Sequence, residues 1–274
     1  MRRRALFTFV IAAALLGWMI SPATLAAQQW ALTRLDASPR HHEYVTLKHD
    51  GRSVRTFVVY PEVKQKAPVV VLIHEIYGLS DWAKLMADEL ARAGYIVVAP
   101  DLLSGTGPGG SGTSGTSAFP NVDAVVEAVS NLNPDTITAD LDAAADYART
   151  IPAGNGKIAV VGFCWGGGQS FRFATHRPDL SAAFVFYGPA PANATVSSIK
   201  MPVYGFYAGN DARITTTVPE TQKNVGKRFE PVTYEGAGHG FMRAGEDPAN
   251  TNPANRKARD EAFARLTRLL AAMK

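Results

Sequence analysis

A single cysteine occurs among the 274 residues, Cys164, and it stands inside Gly162-Phe163-Cys164-Trp165-Gly166-Gly167-Gly168. The apolar residues 158–161 before it read as a buried strand and the glycines after it open a helix, so the cysteine falls on a sharp strand-to-helix turn. A turn this sharp crowds its own backbone, which calls for residues without a Cβ at 162 and 166, and glycine occupies both. A thiol held out from such a turn can attack a carbonyl as thiolate once a neighbouring base takes its proton. Two other readings suit the same residues. Lone cysteines are often inert core residues, and Gly-rich strand-to-helix turns also cradle phosphates, although the P-loop lysine and the dinucleotide-binding spacing are both missing.

Chemistry at Cys164 needs a base and a group to orient it, and two further strand ends supply candidates. Residues 202–207 form an apolar strand that runs into Ala208-Gly209-Asn210-Asp211, and residues 228–234 form another that runs into Gly236-Ala237-Gly238-His239-Gly240-Phe241. An imidazole at His239 would hold the thiol's proton, and a carboxylate at Asp211 would fix its tautomer and stabilise it once charged. Taken singly, Asp211 could be a capping residue and His239 a surface-loop histidine. An earlier strand, 69–73, ends in His74-Glu75-Ile76-Tyr77-Gly78. The backbone N–H groups of Trp165 and Ile76 are the candidate donors for an oxyanion.

These positions require a frame of strands and helices. A pair of strands flanks His49-Asp50-Gly51 as a hairpin. From 69 onward, apolar strands at 69–73, 95–100, 158–161, 182–188, 202–207 and 228–234 alternate with helices near 81–93, 122–130, 137–149, 165–176, 219–225 and 254–273. That alternation predicts an α/β fold: a mostly parallel, doubly wound sheet with helices on both faces, preceded by the N-terminal hairpin. In such sheets ligands bind beyond the C-terminal strand ends, where the polar candidates fall. Residues 104–117 are rich in Gly, Ser and Thr and read as a loop, either a lid or a tolerated insertion.

Composition sets the remaining bounds. With 46% hydrophobic and 19% charged residues the chain is long enough for one large domain. The net charge of +4 includes Arg2, Arg3 and Arg4 and carries no expectation of a nucleic-acid partner. Residues 1–27 run from those arginines through an apolar stretch to small residues ending at Ala26-Ala27, the layout of a secretory signal peptide that is cleaved. The alternative is an uncleaved anchor, but the apolar run is short and ends in Pro22. The expected organisation is therefore a signal peptide at 1–27, a linker at 28–43 and one domain at 44–274. The mature protein is expected to be secreted or periplasmic, monomeric, and without stable membrane association. His41, His42 and His49 lack further ligands at metal spacing, so no metal and no cofactor are expected.

Gly162-Phe163-Cys164-Trp165-Gly166-Gly167, His74-Glu75-Ile76-Tyr77-Gly78, Ala99-Pro100-Asp101-Leu102, Gly209-Asn210-Asp211 and Gly236-Ala237-Gly238-His239-Gly240-Phe241 together resemble the motifs of the dienelactone hydrolase family. The nucleophile–acid–histidine order is also that of α/β hydrolases. The resemblance runs from about residue 55 to the C-terminal helix. It implies the α/β-hydrolase fold and a Cys164–Asp211–His239 triad cleaving small, possibly anionic, esters or lactones through an acyl-enzyme. It further implies that Glu75 partners the resting thiol and removes its proton when substrate binds, and that Ile76 and Trp165 form the oxyanion hole. On the same grounds Arg243 and Tyr77 would bind substrate, Arg243 through its carboxylate. On sequence grounds Glu75 could instead be a strand-end salt-bridge residue. The chain departs from the family four residues after Asp101, where Gly105 replaces an arginine of the dienelactone-cleaving members. Two other functions fit the same sequence: a non-hydrolytic binding protein for a small carboxylate, and an acyltransferase sharing the acyl-enzyme.

Overall fold

The computed structural model describes residues 28–107, 118–192 and 196–274. The signal-peptide segment and residues 108–117 of the Gly/Ser/Thr-rich loop lie outside the described residues. No described helix is long and apolar enough to cross a membrane.

The chain opens with helix α1 (Gln29–Asp36), then the hairpin β1 (His42–His49) and β2 (Arg52–Val59). Asp50 and Gly51 both take positive φ, +46° and +76°, which is what a tight two-residue turn between twisted strands requires. There follow β3 (Ala67–Ile73), α2 (Asp81–Arg92), β4 (Ile96–Pro100), α3 (Val122–Ser130), α4 (Pro134–Thr150), β5 (Gly154–Phe163) and α5 (Trp165–His176). The C-terminal third adds β6 (Ala182–Phe186), β7 (Val203–Ala208), the short α6 (Ala212–Thr215), α7 (Val218–Val225), β8 (Phe229–Tyr234), the short α8 (Phe241–Ala244) and α9 (Pro253–Ala271). Side-chain caps start several helices: Ser80 Oγ accepts from the Ala83 N–H of α2, and the Asn133 carboxamide oxygen accepts from Asp135 and Thr136 ahead of α4.

The eight strands form one sheet in the order β1-β2-β4-β3-β5-β6-β7-β8. β1, β2 and β4 pair antiparallel, and every pair from β4 through β3 to β8 is parallel. β3 is buried throughout, as its run of valines requires. Its side chains alternate between the two faces. Val70 and Leu72 join Trp82, Met86, Leu266 and Leu270 of α2 and α9, while Val69, Val71 and Ile73 join Ile137, Leu141 and Phe171 of α4 and α5. This is the mostly parallel, doubly wound sheet, with helices on both faces, that the periodicity predicts.

The segment read as a linker, 28–43, carries α1, which docks on α2. The Gln28 side-chain oxygen accepts from the Trp82 N–H at 3.1 Å, and Ala31 and Leu35 are buried. Arg34 pairs with Glu89, and with Glu246 at 3.0 Å. His42 is spent on Asp88, 2.8 Å away.

Three phenylalanines at the ends of adjacent strands lie side by side under the site. Phe163 is 4.7 Å from Phe186, which is 4.1 Å from Phe206, each pair in register across β5, β6 and β7. Their packing fixes where Cys164 and the neighbouring strand ends emerge from the sheet.

Candidate active site

Cys164 follows β5 and has φ +55° and ψ −117°, a region costly for a residue with a Cβ, on the order of 1–3 kcal/mol. The surroundings hold it there. Its N–H donates to the Phe186 carbonyl at 3.0 Å, and its own carbonyl accepts from Gly167 at 3.0 Å. The approach of strand and helix is close: a Cβ on Gly162 would lie 1.9 Å from the Gly166 carbonyl oxygen, and one on Gly166 would lie 2.3 Å from that of His74. Both glycines are therefore demanded by contact rather than by φ.

His239 sits between β8 and α8 with its ring aimed at the elbow. Nε2 is 3.1 Å from Cys164 Sγ, and Nδ1 is 2.5 Å from an Asp211 carboxylate oxygen. Asp211 follows β7, and Asn210 ties that loop to the histidine's loop through bonds to the Ala237 and Gly236 carbonyls, at 2.9 and 3.1 Å. The three residues thus form a continuous line across three strand ends. A line of this kind can move a proton from thiol to imidazole while the carboxylate holds the other ring nitrogen.

The thiol's pKa is pushed up to about 11, first by burial and then by the negative charge of Glu75. The backbone N–H groups of Trp165 and Ile76 face the sulfur and pull the other way, as does the charge of Arg213. Glu75 itself is buried and receives the Arg243 Nε–H at 2.9 Å. The Arg243 guanidinium lies over the Tyr77 ring, 5.1 Å from its centre. All eight expected site residues therefore gather at one end of the sheet. The hydrogen-bond partner of the thiol is His239 and that of Glu75 is Arg243; Glu75 reaches the thiol through its charge.

A thiol protonated at neutral pH gives an expected result. Alkylation of Cys164 by iodoacetamide should be slow at pH 7 and still be accelerating at pH 10. Glu75→Gln removes a charge that disfavours thiolate, so the thiol's pKa falls and alkylation at a fixed pH near 8 speeds up. An unchanged rate in Glu75→Gln would show that burial alone sets the thiol.

Three residues at the site carry no expected role, although His74 belongs to a motif that the sequence marks. Tyr187 follows β6 with φ +41°, is fully buried, and packs edge-on to His239 at 5.1 Å. Burial first, and then the nearby charge of Glu75, keep that phenol protonated. Arg213 in α6 contributes a charge, and His74 stacks on Trp165 with ring centres 5.6 Å apart. Gly105 has φ +76°, which favours glycine, and a Cβ there would lie 3.7 Å from an Arg52 guanidinium nitrogen. Arg52 is already engaged with Asp140 at 2.8 and 2.9 Å.

Residues 54–274 match the sequence model of the dienelactone hydrolase family. Among similar proteins, one from Methylorubrum extorquens, provisionally named a carboxymethylenebutenolidase, is 30% identical over 64% of this chain and 63% of its own length. Another of the same provisional name, from Saccharolobus solfataricus, is 31% identical over 70% of this chain and 86% of its own length. In fold, the chain is similar to the crystal structure of a provisionally named dienelactone hydrolase from Klebsiella pneumoniae. The TM-score is 0.73 at 23% identity, with 85% of this chain and 98% of that one covered.

Proposed function

The chain belongs to the dienelactone hydrolase family, whose members are carboxylic ester hydrolases, and on that premise we propose that it cleaves small esters or lactones with Cys164 as nucleophile. The observation that carries this reading is the unbroken line Asp211–His239–Cys164 with two backbone N–H groups facing the sulfur.

In the first half-reaction His239 Nε2 takes the Sγ proton as the sulfur attacks the acyl carbon and a C–S bond forms. The carbonyl's electron pair moves to oxygen, which the Ile76 and Trp165 N–H groups receive. Asp211 holds the Nδ1–H and stabilises the imidazolium. Collapse breaks the C–O bond to the leaving alkoxide, which takes the proton from Nε2. In the second half-reaction water gives a proton to Nε2 and attacks the thioester, the C–S bond breaks, and the sulfur regains its proton from the imidazolium.

Burial first, and then the charge of Glu75, keep the thiol neutral between turnovers, which limits its oxidation. Arg243 reads a substrate carboxylate and does so without the second arginine, since Gly105 stands where it would be. Its Nε is committed to Glu75, so an anionic substrate meets the remaining guanidinium N–H groups.

The test is a panel of neutral and carboxylate-bearing esters and lactones run on wild type, Cys164→Ala and Arg243→Ala. Arg243→Ala is expected to lose about 10- to 100-fold in kcat/KM on the anionic members and less than about 3-fold on the neutral ones. Equal losses on both would mean that Arg243 acts only by pairing Glu75.

A further inference from the structure

His74 lies at the oxyanion-hole loop, is completely buried, and stacks on Trp165. Its Nδ1 is 2.8 Å from the Glu75 carbonyl oxygen. A carbonyl only accepts, so Nδ1 carries the proton and Nε2 is bare. That Nε2 has no hydrogen-bond partner among the described residues. Burial pushes the pKa of the imidazole down against the opposing charge of Asp101, so the ring stays neutral and the Nδ1–H stays in place. A buried ring nitrogen left without a partner is a cost that a phenylalanine at this position would avoid. The benefit must then lie in the donor at Nδ1.

The carbonyl of Glu75 and the N–H of Ile76 belong to one planar peptide unit, and in a trans peptide they point in opposite directions. Whatever holds the carbonyl therefore aims the N–H. Two donors hold it: the His74 ring at 2.8 Å and the Gly78 N–H at 3.1 Å. The Ile76 N–H on the other side of that peptide faces Cys164 Sγ. The same imidazole stacks on the ring of Trp165, planes 13° apart, and Trp165 supplies the second N–H. His74 is thus in contact with both halves of the proposed oxyanion hole.

We propose that His74 is a positioning residue for ester hydrolysis, locking the Glu75–Ile76 peptide through its Nδ1–H so that the Ile76 N–H meets the developing oxyanion in line. This rests on the functional reading above. Deleting an oxyanion donor outright costs about 10²- to 10³-fold in rate. A donor kept but set loose costs less, because Gly78 still holds the other lone pair of the carbonyl.

Two substitutions separate the hydrogen bond from the stack. His74→Phe keeps a flat ring against Trp165 and removes the donor; His74→Asn loses the ring and keeps an N–H at the Nδ1 position. With p-nitrophenyl acetate as substrate, His74→Phe is expected to lose about 10- to 100-fold in kcat with KM within about 2-fold, and His74→Asn to stay within about 5-fold of wild type. Iodoacetamide alkylation of Cys164, which forms no oxyanion, should be unchanged in both. Amide hydrogen exchange at Ile76 should speed up in His74→Phe alone, a readout independent of turnover. If wild type proves inactive on every ester and lactone, the hydrolase reading fails while the exchange comparison still decides the role of His74. Loss in His74→Asn with retention in His74→Phe, equal kcat in the two variants, or unaltered exchange at Ile76 in His74→Phe would each overturn the proposal. Should His74→Phe not fold, exchange and kcat in His74→Leu against His74→Asn make the same comparison without a ring in either.

Discussion

Cys164→Ala is expected to fold as wild type does and to retain no more than about one part in 10⁴ of its kcat on p-nitrophenyl acetate. The residue left behind keeps its Cβ, so the backbone at φ +55° is no more strained than before, and its N–H still reaches the Phe186 carbonyl. Removing one sulfur atom from a half-buried position costs about 1 kcal/mol in packing, too little to unfold a domain of this size. What disappears is the atom hydrogen-bonded to His239 Nε2 that would form the covalent bond to the acyl carbon. The oxyanion donors remain and continue to bind the carbonyl, so KM should change little. Thermal melting of the two proteins, stopped-flow assay and mass spectrometry of a reaction quenched in the first turnovers check the three parts of this expectation. The acylated mass should be found on Cys164 in wild type and be absent from the variant. Substantial turnover by Cys164→Ala would remove the thiol from the reaction and with it the proposed mechanism.

The largest effect on folding is expected from Gly162→Ala, which should leave no soluble native protein. The added methyl would lie 1.9 Å from the Gly166 carbonyl oxygen and 2.4 Å from its carbon, so the first turn of α5 would have to leave the end of β5. Those atoms are backbone, and no rotamer relieves them. Displacing a helix from the sheet it covers costs more than the roughly 5–15 kcal/mol that holds a domain together. A control is Gly156→Ala. There φ is +84° but nothing lies within 4 Å of the new methyl, so only the conformational penalty of about 1–2 kcal/mol applies. Soluble yield and the urea midpoint separate the two. A Gly162→Ala protein within about 1 kcal/mol of wild type would mean that the elbow is more pliable than its packing implies.

The buried strands and the elbow were legible because each is decided locally. A run such as Val69 to Ile73 has no stable place except between two layers, and glycines at 162 and 166 follow from the turn itself. Helix α1 was not legible, since only Ala31 and Leu35 of its eight residues are buried and no side chain caps its start. Its order comes from afar, through Gln28 on Trp82 and Arg34 on Glu89 and Glu246. The same holds at the site. Cys164, Asp211 and His239 could be read from motif and order, but the pairing of Glu75 with Arg243 joins residues 168 apart in sequence. The burial of Tyr187 against His239 likewise depends on what surrounds it. Nothing local in a strand ending in Phe-Tyr-Gly marks that tyrosine as a neighbour of the histidine.

The strand order also sets a timetable. β3 is made early but lies between β4 and β5, and its register with β5 joins Val69 to Ile158, so one of its edges stays open until much later chain has emerged. Parallel pairs of such long sequence separation form slowly and late, whereas synthesis delivers only about 5–20 residues per second. Cys164 leaves the ribosome before its carboxylate, its imidazole and Arg243, which arrive in that order from β7, β8 and α8. During synthesis, therefore, the thiol belongs to a chain that already holds Ile76 and Trp165 but has neither the imidazole of His239 nor the carboxylate that orients it. On the mechanism proposed above, hydrolytic competence waits on synthesis of the chain through His239.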